Sequence, residues 1–407
     1  MGKDLKDKIK IAFIGNMNNN HFAISRFLRD VGFDCELLLF NIEQDHFHPK
    51  TDTYSLDYNS WVRRLEWGTA ISFLNTKNEV IINDLNKYDI LIGCGIAPAF
   101  CMKANLSLDI FIPYGSDIFE ETLYRVASPK YLARLWSTVY FHRKGLKKVK
   151  ICHMPLGIEL YENQIKKYLY NSERWFEPIP LVYAPEYSSN LITDNSKKTH
   201  WAHEFLEIRS KVELMVFAHG RHFWGDSNNP NSKGNDILIQ GWAKFCNRQP
   251  NLSKKLILVE YGLHVGKSKD LIAELGIEDT IQWFPSMFRK DLMPGIQCAD
   301  IVAAEFVHTW LTGGVIFEAL VAGKPLLMFS KEHIDSNKAK SLFPIYNALS
   351  HEDVCNRLEE YCTNPEQGKK MGMEGQIWYK ENAIGKSIDK YVEYFDRRAK
   401  ELGKVTY

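Results

Sequence analysis

The sequence of 407 residues is too long for one ordinary hydrophobic core and suits two domains of roughly 150 to 200 residues each. Its 45% apolar and 25% charged residues exclude a largely disordered or fibrous chain. Fifty-one basic against fifty acidic residues leave a formal charge of +1, which removes the global electrostatic argument for a nucleic-acid partner.

The charged start, Met1 to Lys8, runs directly into Ile9 to Ile14 without the apolar stretch of a signal peptide. No run approaches the roughly 18 apolar residues that span a bilayer, so a cytoplasmic protein is expected. The cysteines are scattered through apolar runs without a Cys-X-X-Cys pair, which points to buried free thiols and away from a zinc site.

Ile9 to Gly15 reads as a buried strand ending in glycine, and His21 to Val31 has helical apolar spacing (Phe22, Ile24, Phe27, Leu28, Val31). Short apolar runs follow at Glu36 to Phe40, Tyr88 to Gly95, Ile110 to Tyr114 and Val149 to Met154, with a helical stretch at Tyr131 to Leu146. This alternation predicts crossover units and a mostly parallel sheet. Periodicity weakens between Tyr168 and His200, where Pro178, Pro180 and Pro185 fall, and the domain join is placed there. A second alternation comprises Val212 to Ala218, Leu256 to Tyr261, Thr280 to Phe284, Asp300 to Ala304 and Pro325 to Phe329, with helices between them. The expected domains are 1–185 and 186–385, with a terminal helix at 386–407 that could return to the first.

The helix Tyr131 to Leu146 carries Leu132, Leu135, Trp136, Val139 and Tyr140, then Arg143, Lys144, Lys147 and Lys148. It is read as a core-facing helix with a solvated basic end. Aromatics beside clustered cations also suit peripheral contact with an anionic membrane surface, the alternative kept open.

The most informative segment is Gly313 to Leu327. Two glycines open a helix, Glu318 sits one turn inside it, and Gly323-Lys324-Pro325 ends it before a buried strand. A glycine-opened helix start offers free N–H groups and a positive dipole end to an anion. A carboxylate one turn along can accept two hydrogen bonds from a ribose diol, or can simply be a solvated first-turn residue.

Glu318-Ala319-Leu320-Val321-Ala322-Gly323-Lys324-Pro325 resembles the second half of the signature of family-four retaining glycosyltransferases, Glu, seven residues, Glu, then Ala-hydrophobic-Ala-X-Gly-X-Pro. The resemblance implies an α/β fold of two Rossmann-like doubly wound domains facing a central cleft, the GT-B architecture, with the donor in the second domain. It implies that Glu318 grips the nucleotide ribose and that Gly313 and Gly314 face the diphosphate and sugar.

The first half departs, because Trp310 stands where the family has an acid that contacts the transferred sugar. Glu305, five residues earlier at a strand end, is the candidate to take over that catalytic role. A residue in a local ion pair is the other reading of it. His219-Gly220-Arg221 and Lys233-Gly234-Asn235 resemble the family's Gly-Arg and Lys-Gly pair, whose cations bind the diphosphate. The longer insertion His222 to Ser232 could form a lid. Trp283-Phe284-Pro285-Ser286 resembles the base-holding loop, with packing the alternative.

In the first domain, the loop from Gly15 is where the family's backbone approaches donor phosphate and acceptor. It is not Gly-X-Gly-X-X-Gly, so a dinucleotide redox site lacks support. Tyr114-Gly115-Ser116-Asp117 resembles the family's His-Gly-X-Asp stretch, with Asp117 equally suited to cap a helix. His153 is read as a hydrogen-bonded core histidine.

No Asp-X-Asp occurs, so transfer without a metal or other cofactor is expected, Arg221 and Lys233 supplying the positive charge. The resemblance implies retaining transfer from a nucleotide-sugar donor to a glycan or lipid-linked acceptor in cell-surface polysaccharide synthesis. A nucleotide-sugar epimerase of the same architecture and a catalytically silent nucleotide-binding protein are the alternatives.

Overall fold

The computed structural model describes residues 8–124, 129–154, 159–187, 201–226, 229, 231–307 and 311–406. The chain divides into two compact units, one of residues up to Tyr183 together with those from Asn382, the other Ala184–Glu381.

The first unit is built on seven strands: β1 (Lys10–Ile14), β2 (Asp34–Leu39), β3 (Val62–Arg64), β4 (Ile90–Gly93), β5 (Ile110–Phe111), β6 (Ile151–His153) and β7 (Glu173–Trp175). They pair in the order β3-β2-β1-β4-β5-β6-β7, and every pairing is parallel. The apolar runs read from the sequence form the middle of this sheet, which is covered by helices because parallel strands need crossovers and bury both faces.

The terminal helix Lys386–Leu402 completes the core of this unit. Phe395 packs edge-on against Phe33 at 5.1 Å, and Tyr391 and Tyr394 both meet Trp175. Tyr394 donates to Asp109 at 2.9 Å, and Ile9 donates its amide to Val405. The buried stripe Ile388, Tyr391, Phe395, Ala399 repeats every three or four residues, as a helix lying on a sheet requires.

The second unit has six parallel strands: β8 (Leu214–Ala218), β9 (Lys254–Glu260), β10 (Ile281–Pro285), β11 (Ile301–Ala303), β12 (Leu326–Met328) and β13 (Tyr346–Asn347), ordered β10-β9-β8-β11-β12-β13. Trp242 is fully buried between helix and sheet, its indole N–H donating to Thr280 at 2.9 Å. Both units are therefore doubly wound α/β domains. The described cysteines are free thiols, six of them buried. Among the described residues no helix is long and apolar enough to cross a membrane.

The helix Pro129–Leu146 differs from its sequence reading. Thr138, Val139, His142 and Leu146 are buried, but Trp136 and Tyr140 from the expected core face stand in solvent.

Phe395→Ala removes a fully buried ring that only the chain's last helix supplies to the first unit. A loss of about 3–5 kcal/mol is expected, read as a lowered urea midpoint of the full chain.

Candidate functional site

The sheet of the second unit winds outward in both directions from the β8–β11 pair. Loops part at such a reversal, leaving a crevice at the carboxyl ends of the strands where doubly wound sheets take their ligands. His219-Gly220-Arg221 follows β8, and Ala304-Glu305 follows β11.

Lys233 is carried back to this edge by backbone bonds on both sides, its amide donating to Phe223 at 2.7 Å and its carbonyl accepting from Phe306 at 2.9 Å. Its ammonium meets Glu305 Oε1 at 2.6 Å with both side chains mostly buried. Gly234, at φ +69°, then starts the helix Asn235–Arg248. A Cβ there would lie 2.9 Å from Phe306 Cβ, so only glycine permits this approach.

Glu318 lies in the helix Gly314–Val321, preceded by Gly313 in extended conformation. It is only 6% exposed, and its carboxylate spans two partners: His219 Nε2 donates at 2.6 Å and Arg289 Nε at 2.8 Å. Burial alone would raise its pKa. The hydrogen bond from His219 and the charge of Arg289 outweigh burial and hold the pKa down at about 2.

The same contact ties the glycine-opened helix start to the end of β8, so Gly313, Gly314, Glu318, His219 and Arg221 belong to one region of the sheet edge. Among the described residues, a Cβ on Gly314 would meet nothing closer than Glu318 Oε1 at 3.8 Å. The Nδ1 of His219 and the Nε of Arg221 are buried without a partner.

The first residues of the insertion after Arg221 are anchored. The amide of His222 donates to Tyr261, Trp224 Nε1 donates to Ser268 at 2.8 Å, and Phe223 stacks on His264 at 4.9 Å. Phe284 packs against Phe205 at 4.6 Å and Trp201 at 5.7 Å, a core role. Trp310 lies outside the described residues, as do Asn228 and Pro230 of the insertion.

The first unit has its own reversal, between β1 and β4. Gly15 follows β1 at φ +79°, where a Cβ would clash with Phe40 at 2.7 Å. Both its backbone polar groups are engaged, the amide donating to Leu38 and the carbonyl accepting from His21 Nδ1 at 2.7 Å. Asp117 is fully buried and accepts from the amides of Gly95, Tyr114 and Gly115. Burial pushes its pKa up to about 7 against those bonds.

Around these loops lies a pocket of about 250 Å³, with Glu43, Gln44, Thr69, Tyr114 and Glu121 in its wall and no lysine or arginine among the described residues that line it. His153 bonds Tyr391 through Nδ1 at 2.8 Å and the carbonyl of Glu177 through Nε2 at 3.0 Å, which makes it a core histidine. Among the described residues no three His, Cys, Asp or Glu side chains converge as a metal site would require.

The sequence reading missed His219 and Arg289 as partners of Glu318, and the acidic wall of the first unit's pocket. His219 adjoined a motif already singled out. Arg289 is 29 residues from Glu318 and carried no local signal.

No protein-family profile matches the chain. Over 102 residues it is 30% identical to D-inositol 3-phosphate glycosyltransferase of Saccharomonospora viridis, a match that spans 23% of either protein. Anabaena HepE in complex with UDP is similar over 96% of this chain and 100% of that one, with a TM-score of 0.60 at 16% identity. The same protein has been solved with UDP and glucose and with UDP-glucose. UDP-GlcNAc 2-epimerase of Neisseria meningitidis, bound to UDP-GlcNAc, has a TM-score of 0.54 at 12% identity over 95% of this chain and 100% of that one. The chain has the GT-B fold. At these identities the structural likeness speaks for the fold alone.

Two outcomes follow from the buried groups. Glu318→Gln and Arg289→Met each break the largely buried Glu318–Arg289 pair, so each lowers stability by about 3–5 kcal/mol. The double variant loses less than the sum, measured as a coupling energy in a denaturation cycle.

For Asp117, the folded carboxyl keeps its proton up to about pH 7 while the unfolded one loses it near 3.8. The folded state thus binds more protons across that window, and stability falls as pH rises through it. Asp117→Asn flattens this dependence in urea midpoints taken between the two values.

Proposed function

We propose that this chain is a glycosyltransferase that moves a hexosyl group from a nucleoside diphosphate donor, with retention, to a glycan or lipid-linked acceptor in cytoplasmic steps of cell-surface polysaccharide synthesis. The observation that carries the reading is the 2.6 Å contact between Glu318 and His219, which draws the glycine-opened helix start of Gly313 and Gly314 to the strand end bearing Arg221.

In this reading the departing diphosphate gains negative charge as the glycosidic bond breaks. Arg221, Lys233 and the amides at Gly313 and Gly314 stabilise it, already in place before the bond breaks. They do so without a metal. Glu318, kept ionised by Arg289 and His219, accepts from the ribose diol with its remaining lone pairs. Glu305, which holds Lys233 at 2.6 Å, orients that cation and in this reading takes over the contact to the transferred sugar. Gly15 is the first unit's candidate for a donor contact in this reading, with its own amide and carbonyl already bonded inside the unit. The acceptor hydroxyl attacks from the face the diphosphate leaves and gives it the proton, so no side chain acts as base.

The likeness to proteins solved with UDP and UDP-glucose supports a nucleotide-sugar donor. The likeness to a UDP-GlcNAc 2-epimerase favours epimerisation of a nucleotide sugar as the second reading.

Thermal melting of the purified protein with UDP, GDP, ADP, CMP and NAD tests the donor half. A nucleotide at a hundred times its Kd adds about 2.7 kcal/mol, a shift of a few degrees. A shift with UDP or GDP that Lys233→Ala and Arg221→Ala abolish is the expected result; a shift with NAD alone, or with none, sinks the reading. Incubation with UDP-glucose and UDP-GlcNAc, analysed by mass and NMR, then separates the two activities. Free UDP with a sugar-extended acceptor marks a transferase, and an isomerised nucleotide sugar without an acceptor marks an epimerase.

A further inference from the structure

The outer side of the helix Pro129–Leu146 exposes aromatic residues that the first unit's core does not use. Leu123 is 49% exposed, and Tyr124, Trp136 and Tyr140 are each 46% exposed. They are contiguous, since Tyr124 and Trp136 meet edge to face at 5.6 Å, and with Phe141 they wall a shallow groove of about 530 Å³.

Cations border this apolar strip. Arg143 lies over Tyr124 and Lys144 over Tyr140, each 4.4 Å from the ring centre. Arg143 also reaches Tyr168 at 5.7 Å, and Lys167 lies over the same ring at 5.2 Å. The end of the helix Glu159–Tyr168 therefore joins the border. Lys147 and Lys148 follow one turn on, both exposed. Among the described residues none of Lys144, Lys147, Lys148 or Lys167 is in an ion pair. Glu162, on the helix of Lys167, is paired with Arg174 at 2.8 Å.

We propose that this face docks on the surface of an anionic lipid bilayer. Tyr and Trp, apolar in body with a polar edge, settle at the headgroup level of a membrane. Lysines beside them reach the phosphates of anionic lipids. A second copy of the chain fits worse, because a two-fold contact through this strip would bring its cationic borders together. The proposal stands apart from the transferase reading, and its test needs no turnover.

The full-length protein is sedimented with vesicles of phosphatidylcholine alone and of phosphatidylcholine mixed with phosphatidylglycerol. Wild type is expected on the anionic vesicles, to be released by salt, and to stay off the neutral ones. Lys144→Gln and Lys167→Gln each lower the partition coefficient about fivefold, and together about 25-fold. Trp136→Ser with Tyr140→Ser weakens binding to the same vesicles. The lysine pair is fully at the surface, so it keeps the test valid if the aromatic pair proves less stable.

Absence of binding to anionic vesicles, or equal binding by wild type and the lysine pair, overturns the proposal. So does a dimer in sedimentation velocity that the aromatic pair abolishes while vesicles have no effect, since the face is then a self-interface.

Discussion

A parallel sheet that winds outward in both directions must part its loops where the direction reverses, and everything of chemical interest in this chain follows from where those reversals fall. Crossovers of one hand carry the chain to one face of the sheet on one side of the reversal and to the opposite face on the other. The strand ends between them are left uncovered. In the second unit that gap exposes the ends of β8 and β11, and the residues found there are Gly220, Arg221 and Glu305. Lys233 arrives from a loop, but two backbone bonds and the close fit of Gly234 on Phe306 fix it as firmly as a strand residue.

Holding a carboxylate as deeply as Glu318 is expensive unless its charge is matched. An isolated ionised acid at that depth would take up a proton, and a neutral acid binds a diol less well. His219 and Arg289 remove that problem with one oxygen each. An ionised carboxylate has about four lone-pair sites, so two remain after both bonds are made. Burial and ligand capacity are thus compatible here. The arrangement also explains the position of His219: from the end of β8 its ring reaches the inside of the first turn and a half of the helix.

The central strands were legible because they are buried on both faces, and burial writes itself as continuous apolar sequence: Lys10–Ile14, Ile90–Gly93, Leu214–Ala218 and Lys254–Glu260 all overlap such runs, the last from Leu256 on. Of the four edge strands, Ile281–Pro285 was legible as well, and the other three were not. Val62–Arg64, Glu173–Trp175 and Tyr346–Asn347 are two or three residues long and mostly polar, since an edge strand has solvent beside it and gains from charge that discourages further pairing. Site residues divide in the same way. Glu318 and Gly313-Gly314 are visible because helix start, acid and glycine are close in sequence. Arg289 is not, because its bond to Glu318 depends on a fold that brings two distant helices together. Trp136 and Tyr140 misled for a related reason: an apolar residue at helical spacing says which residues share a face, and not that the face is covered.

The two reversals differ in the charge they present, and that difference bears on which half handles phosphate. At the edge of the first unit, Asp117 consumes three amides that could otherwise have held an anion, and Glu43 and Glu121 stand in the wall of the pocket. Among the described residues of that wall, a diphosphate would meet the carboxylates of Glu43 and Glu121. A neutral polyhydroxyl compound would meet acceptors for its hydroxyl groups. At the edge of the second unit the acids are already spent on partners, Glu305 on Lys233 and Glu318 on His219 and Arg289, while no described side chain but Glu318 comes within 4 Å of a Cβ on Gly314. In the second unit a mostly buried lysine and a glycine-opened helix start stand beside acids that already have partners, and it is to this edge that the proposed reaction assigns its leaving group.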